Sequence, residues 1–115
     1  MPIPSNPGDL SAIAFRVAAV LESYQLQIER LVADWRNRPL YRSVTAQLDE
    51  VGSLLGAFPQ LAVDMVEVVV CHAKLLNLLQ SHPTAGDAVR QLQSRQCEAV
   101  ACMRRKTLRM LSAPA

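Results

Sequence analysis

Residues 37–59 read NRPLYRSVTAQLDEVGSLLGAFP, and this stretch decides the fold. It contains Pro39 near its start and Pro59 at its end, and its apolar side chains recur at alternating steps of three and four residues: Tyr41, Val44, Leu48, Val51, Leu55 and Phe58. This spacing is typical of a helix that packs against other helices at a shallow angle. Proline suits a helix start, where its missing N–H costs nothing, and breaks a helix interior. The stretch therefore predicts one amphipathic helix from about residue 39 to residue 55.

The other internal prolines divide the rest of the chain in the same way. Asn6 can cap a helix that opens at Pro7, and Gly56 can end the second helix before Pro59. Pro83 separates a third helix from a fourth. We predict helices at about 8–36, 39–55, 59–80 and 84–111.

The first and third predicted helices carry the same apolar seam as the second. The first seam is Leu10, Ala14, Val17, Leu21, Tyr24, Ile28, Leu31 and Trp35, and the third is Ala62, Met65, Val69, His72, Leu76 and Leu79. Short connections make neighbouring helices antiparallel, which predicts an all-α, up-down-up-down four-helix bundle. The alternative is a three-helix bundle in which helices two and three are continuous through a kink at Pro59.

Composition fits a single helical domain over residues 1–115, with short flexible tails at about 1–6 and 112–115. Half of the residues are apolar and only 4% are aromatic, which excludes disorder and all-β folds. The formal charge of +2 is too small to require a nucleic acid or a membrane as partner. The apolar stretch 61–79 contains Asp64, Glu67 and Lys74, which predicts a core helix and not a membrane span.

The compartment is predicted from the cysteines and the first residues. Three cysteines without a C-x-x-C pair are typical of a reducing compartment, and the first twenty residues lack a secretory signal. We therefore expect a cytoplasmic protein. Its abundance of arginine over lysine, together with much alanine and leucine, suits a bacterium with a GC-rich genome.

No motif predicts catalysis, so the sequence indicates a protein that is not an enzyme. Cys71 and His72 carry suitable chemistry, but adjacent side chains on a helix point about 100° apart and cannot readily share a metal or a proton. Cys97 and Cys102 also diverge, and no phosphate-binding glycine loop is present. We predict no cofactor, no metal site and no small-molecule substrate. His72 is predicted to be a core residue whose hydrogen-bond partner is Tyr41, Gln93 or Gln96.

An excess of apolar surface is the strongest functional signal. On the third helix the polar positions occupy an arc of only about 80°, and they are Gln60, Asp64, Glu67, Cys71 and Lys74. The candidate protein interface is Phe15, Leu26, Leu61, Val68 and Leu75, with Val63 and Val70 on the other flank as the alternative. This pattern predicts a non-catalytic protein-interaction module that forms a homodimer. It would act as a small adaptor, chaperone or regulator, and a second partner could be a secreted substrate.

The alternative function is association with nucleic acid through the basic end of the fourth helix. The candidate basic patch is Arg104, Arg105, Lys106 and Arg109. A second cationic group surrounds the first interhelix turn and consists of Arg30, Arg36, Arg38 and Arg42. In the predicted bundle the two groups lie at opposite ends and cannot form one groove.

Overall fold

The computed structural model of this chain describes residues 7–112. It contains four α-helices: α1 (Pro7–Ala33), α2 (Arg38–Leu54), α3 (Ala62–Ser81) and α4 (Gly86–Ser112). Two short 3-10 turns, Leu55–Ala57 and Pro59–Leu61, join α2 to α3. The helices pack against each other without any strand in this part of the chain, which confirms the predicted all-α four-helix bundle. The tails predicted at about 1–6 and 112–115 lie outside the described residues, except for Ser112.

The prolines act at helix starts as predicted, with small shifts of the boundaries. Asn37 caps α2, because its side-chain oxygen accepts a hydrogen bond from the Leu40 N–H, and Pro39 occupies the first turn. α1 ends at Ala33 instead of the predicted residue 36. The Trp35 carbonyl is held outside the helix, where it accepts a 2.7 Å hydrogen bond from the Tyr41 hydroxyl. Pro59 starts a 3-10 turn, and α3 follows it.

Side-chain contacts define the direction of each helix. α2 runs antiparallel to α1, since Gln47 Nε2 donates to Ser23 Oγ at 2.8 Å and Ser43 contacts Gln27. α4 runs antiparallel to α3. Lys106 near the end of α4 contacts Asp64 near the start of α3, whereas Arg95, which is earlier in α4, lies beside Glu67, which is later in α3. α1 packs against both α2 and α4, and α3 lies diagonally opposite α1. The connections thus follow the predicted up-down-up-down order.

The alternative of a continuous helix through Pro59 is wrong. Tyr24 on α1 contacts His72 on α3, while the adjacent Ser23 contacts Gln47 on α2. His72 and Gln47 therefore lie at the same level, and α3 returns alongside α2 instead of extending it. Phe58, between the two 3-10 turns, has a non-helical backbone (φ −134°, ψ 70°), and this break allows the chain to reverse.

The core confirms the predicted seams of α1 and α2 and corrects that of α3. Val69 and Ala62, placed on the seam, are exposed, whereas Leu61, Val68 and Leu75 are fully buried. α3 is apolar around most of its circumference, so periodicity alone cannot choose the buried side. The observed rotation of α3 about its own axis instead places its acidic residues, Asp64 and Glu67, against cations on α4.

Candidate functional site

The outward side of α3 carries a row of exposed valines. Val63 is 81% exposed, Val66 62% and Val69 42%, and Val70 and Ala73 are exposed beside them. We call these five residues the valine face. None of them is polar or charged, and they are contiguous because residues three and four apart on a helix are surface neighbours. An exposed row of large apolar side chains is typical of a binding surface.

The structure divides the predicted interface. Phe15 and Leu26 on α1 are exposed, at 66% and 57%, as expected. Leu61, Val68 and Leu75 are buried in the core, so the expectation that they lie on the surface is wrong. The uncovered side of α3 is the other flank, which includes Val63 and Val70. The structure does not bring Phe15 or Leu26 near the valine face, because α1 and α3 are diagonal neighbours and their outward sides point away from each other.

A buried polar layer crosses the centre of the bundle. The Tyr24 hydroxyl lies 2.8 Å from His72 Nδ1, and the two rings are 5.7 Å apart between centroids. Gln96 on α4 is also fully buried, and its amide lies beside Tyr24 without completing a hydrogen bond of normal geometry. The expected partners of His72 (Tyr41, Gln93 or Gln96) are therefore wrong. The signal that could have identified Tyr24 was its place on the seam of the first helix.

Burial sets the protonation of this layer. It raises the pKa of Tyr24 far above its usual range, an effect that Gln96 partly offsets. It lowers the pKa of His72, although Asp49 on α2 acts in the opposite direction. At neutral pH the tyrosine is therefore protonated and the imidazole is neutral, and the two share one hydrogen bond between the Tyr24 hydroxyl and His72 Nδ1. The pair joins the diagonal helices α1 and α3.

The three cysteines form no disulfide, and Cys71 lies close enough to the buried layer to add to the effect of burial in raising the pKa of Tyr24. Cys71 is buried with its Sγ 3.5 Å from Glu67, and burial is the largest cause that raises the pKa of its thiol. Cys97 is exposed, and half-buried Cys102 lies 3.8 Å from Asp64. Among the side chains described, no three of His, Cys, Asp and Glu are grouped in a way that could hold a metal ion.

The predicted basic patch spreads around α4. Arg104 contacts Glu22 on α1 at 3.1 Å, and Lys106 contacts Asp64 on α3 at 3.0 Å. These two cations therefore reach opposite neighbours of α4. The Asp64 side chain is only 12% exposed, so Lys106 compensates a carboxylate that is mostly removed from water. Arg105 remains exposed between them.

The opposite end of the bundle has an open cleft of about 660 Å³. Its lining residues are Trp35, Arg36, Arg38, Tyr41, Arg42 and Gln80. Three members of the second cationic group noted in the sequence thus lie together here. The fourth member, Arg30, lines a neighbouring cleft on α1.

Comparison with known proteins gives no relatives: no protein-family model, no curated protein and no solved structure matches this chain. None of the helices within residues 7–112 combines the length and the apolar character needed to cross a membrane.

Proposed function

We propose that this chain is a non-catalytic helical protein-interaction module of the cytoplasm, and that a second copy of the chain binds to its valine face. The observation that carries the proposal is the contiguous, uncharged row of exposed valines on α3. Water penalises exposed apolar area by roughly 25 cal/mol per Å², so covering this row favours association.

The spacing of the face fits another helix as its occupant. Val63, Val66, Val70 and Ala73 follow each other at steps of three, four and three residues, as in the a and d positions of a coiled coil. The next position in the series is the exposed polar residue Asn77, so the apolar row ends at Ala73.

The face is complementary to itself when two copies of α3 run antiparallel. Val66 of one copy then lies opposite Val70 of the other, and Val63 lies opposite Ala73. Both pairs have the same midpoint in sequence, residue 68, so a single two-fold axis satisfies all four layers. The adjacent Val69 lies close to that axis and meets its own counterpart. Self-complementarity of this kind is what a two-fold symmetric dimer requires.

The size of the face indicates a small interface. A standard interface buries about 800 Å² on each partner. One side of a single twenty-residue helix is narrower than this, so we expect a Kd in the micromolar range, on the order of −8 kcal/mol. A reversible dimer of this strength suits an adaptor, chaperone or regulator that exchanges partners.

Sedimentation velocity across a range from low to high micromolar protein tests the proposal. Val66→Glu should shift the dimer to monomer and keep the helical circular dichroism signal, because the new carboxylate would be desolvated in the interface. Leu26→Glu is the matched control: it places the same charge at an equally exposed apolar site on α1. Dimerisation that Leu26→Glu abolishes and Val66→Glu leaves intact would contradict the proposal.

A further inference from the structure

The cleft at the α1–α2 end collects three uncompensated positive charges. No described carboxylate oxygen lies within 4 Å of the guanidinium groups of Arg36, Arg38 or Arg42. Four arginines elsewhere in the described part of the chain do reach such partners, among them Arg16 with Glu50 and Arg104 with Glu22, whereas Arg30 and Arg105 stand alone there and do not form a group with each other. This cluster therefore presents free hydrogen-bond donors to solvent.

The positions of these arginines are electrostatically unfavourable without an anion. Arg38 and Arg42 are four residues apart on α2, and like charges at that spacing repel each other across one turn of helix. Both lie in the first turns of α2, where the helix dipole already contributes positive potential. The nearest acid in the turn is Asp34, whose carboxylate accepts a 3.1 Å hydrogen bond from the Asn37 amide.

The walls of the cleft orient one of the three charges and join the turn and the helix that carry them. Arg36 Cζ stacks 4.7 Å from the centroid of the Trp35 ring, which orients its guanidinium. The Tyr41 hydroxyl donates to the Trp35 carbonyl, so the turn and the first turn of α2 are joined directly.

We infer that this cleft binds the phosphate dianion of a small phosphorylated ligand, such as a phosphate monoester or pyrophosphate. A planar guanidinium donates two parallel hydrogen bonds to phosphate oxygens. Several guanidinium groups together also fit the double negative charge of a phosphate better than the single negative charge of a carboxylate ligand. In a phosphate monoester, Trp35 and Tyr41 would contact the organic group. The site is separate from the valine face and independent of dimerisation.

Trp35 is the single tryptophan of the chain, so its fluorescence reports directly on the cleft. We would titrate the protein with sodium pyrophosphate while sodium chloride keeps the ionic strength constant. A saturable fluorescence change is expected, and Arg38→Gln with Arg42→Gln should weaken the affinity at least tenfold without changing the melting temperature by more than a few degrees. Arg105→Gln, which removes an exposed charge from α4, is the control and should leave the affinity unchanged.

Two further ligands identify the recognised group. AMP should bind and adenosine should not, because only AMP carries the phosphate. Equal binding of AMP and adenosine would overturn the inference, as would a response to pyrophosphate that does not saturate or that Arg105→Gln also loses.

Discussion

The Tyr24 hydroxyl lies 2.8 Å from Nδ1 of His72, and this bond spans the diagonal of the bundle from α1 to α3. Both groups are buried, so each loses its hydrogen bonds to water on folding. If the two did not bond to each other, neither loss would be recovered. The bond therefore favours the arrangement in which these two residues share a level. The bond thereby sets the position of α3 along the bundle axis relative to α1. The level of the valine face in the bundle follows from that position.

Removing this hydroxyl should destabilise the protein without unfolding it. Tyr24→Phe keeps the ring but leaves His72 Nδ1 without a partner in the core, which costs about 1–3 kcal/mol. Urea denaturation followed by circular dichroism measures the loss. Tyr41→Phe is the control: its hydroxyl is only part-buried, so water can replace the lost bond and a smaller effect is expected. Equal effects of the two substitutions would mean that the buried pair has no special role.

Stability should fall as the pH is lowered below about 6.5. Burial lowers the pKa of His72 in the folded state, so below the usual imidazole pKa the unfolded chain binds more protons than the folded protein. The stabilising contribution of neutral His72 is present above that pH and is lost progressively beneath it. The slope should stay below the roughly 1.4 kcal/mol per pH unit of one full proton, because partial hydration screens the imidazolium.

Urea denaturation between pH 7 and pH 5 measures this slope, and His72→Gln should flatten it. Exposed His82 supplies the matched control, since His82→Gln should leave the slope as it is in the native protein. A slope that persists in His72→Gln would assign the titration to another group.

The cations of α4 should differ in their effects on folding. Lys106→Gln leaves the mostly buried Asp64 carboxylate without its ion pair and should destabilise the protein by about 1 kcal/mol or more. Arg105→Gln removes an exposed charge and should change stability by less than about 0.5 kcal/mol. Thermal or urea denaturation distinguishes the two substitutions, and equal losses would show that Lys106 has no structural role.

The same end of α4 tests the alternative of nucleic-acid association. Arg104 and Lys106 are engaged by carboxylates on opposite neighbours, so we expect no binding of duplex DNA with a steep inverse dependence on salt. Fluorescence anisotropy with a labelled duplex measures this. Tight, salt-sensitive binding that the variant Arg105→Gln with Arg109→Gln loses would favour the nucleic-acid function.

Sequence reasoning succeeded where the determinants are local. The proline at position 39 and the regular spacing of the first two seams act within one helix or its first turn. They predicted the number of helices and the buried sides of α1 and α2. The bundle followed because short connections leave few other arrangements.

The rotation of α3 could not be predicted in the same way. Its apolar residues occupy most of the wheel, so two different stripes satisfied the pattern equally well. The side of α3 that is buried agrees with contacts to residues that are distant in sequence: Lys106 for Asp64, Arg95 for Glu67 and Tyr24 for His72. The predicted interface residues Leu61, Val68 and Leu75 consequently proved to be core, and the opposite flank proved to be surface.

Disulfide cross-linking at the two-fold axis tests the proposed dimer most directly. In a background with Cys97→Ser and Cys102→Ser, which removes the thiols that are exposed or half-buried, Val69→Cys should form a covalent dimer rapidly under mild oxidation at micromolar protein. Val63→Cys is the control, because antiparallel pairing places its two copies about ten residues apart along the helix, roughly 15 Å. We predict fast cross-linking at position 69 and slow cross-linking at position 63. Equal rates at the two positions, or a protein that stays monomeric with either cysteine, would contradict the proposed dimer.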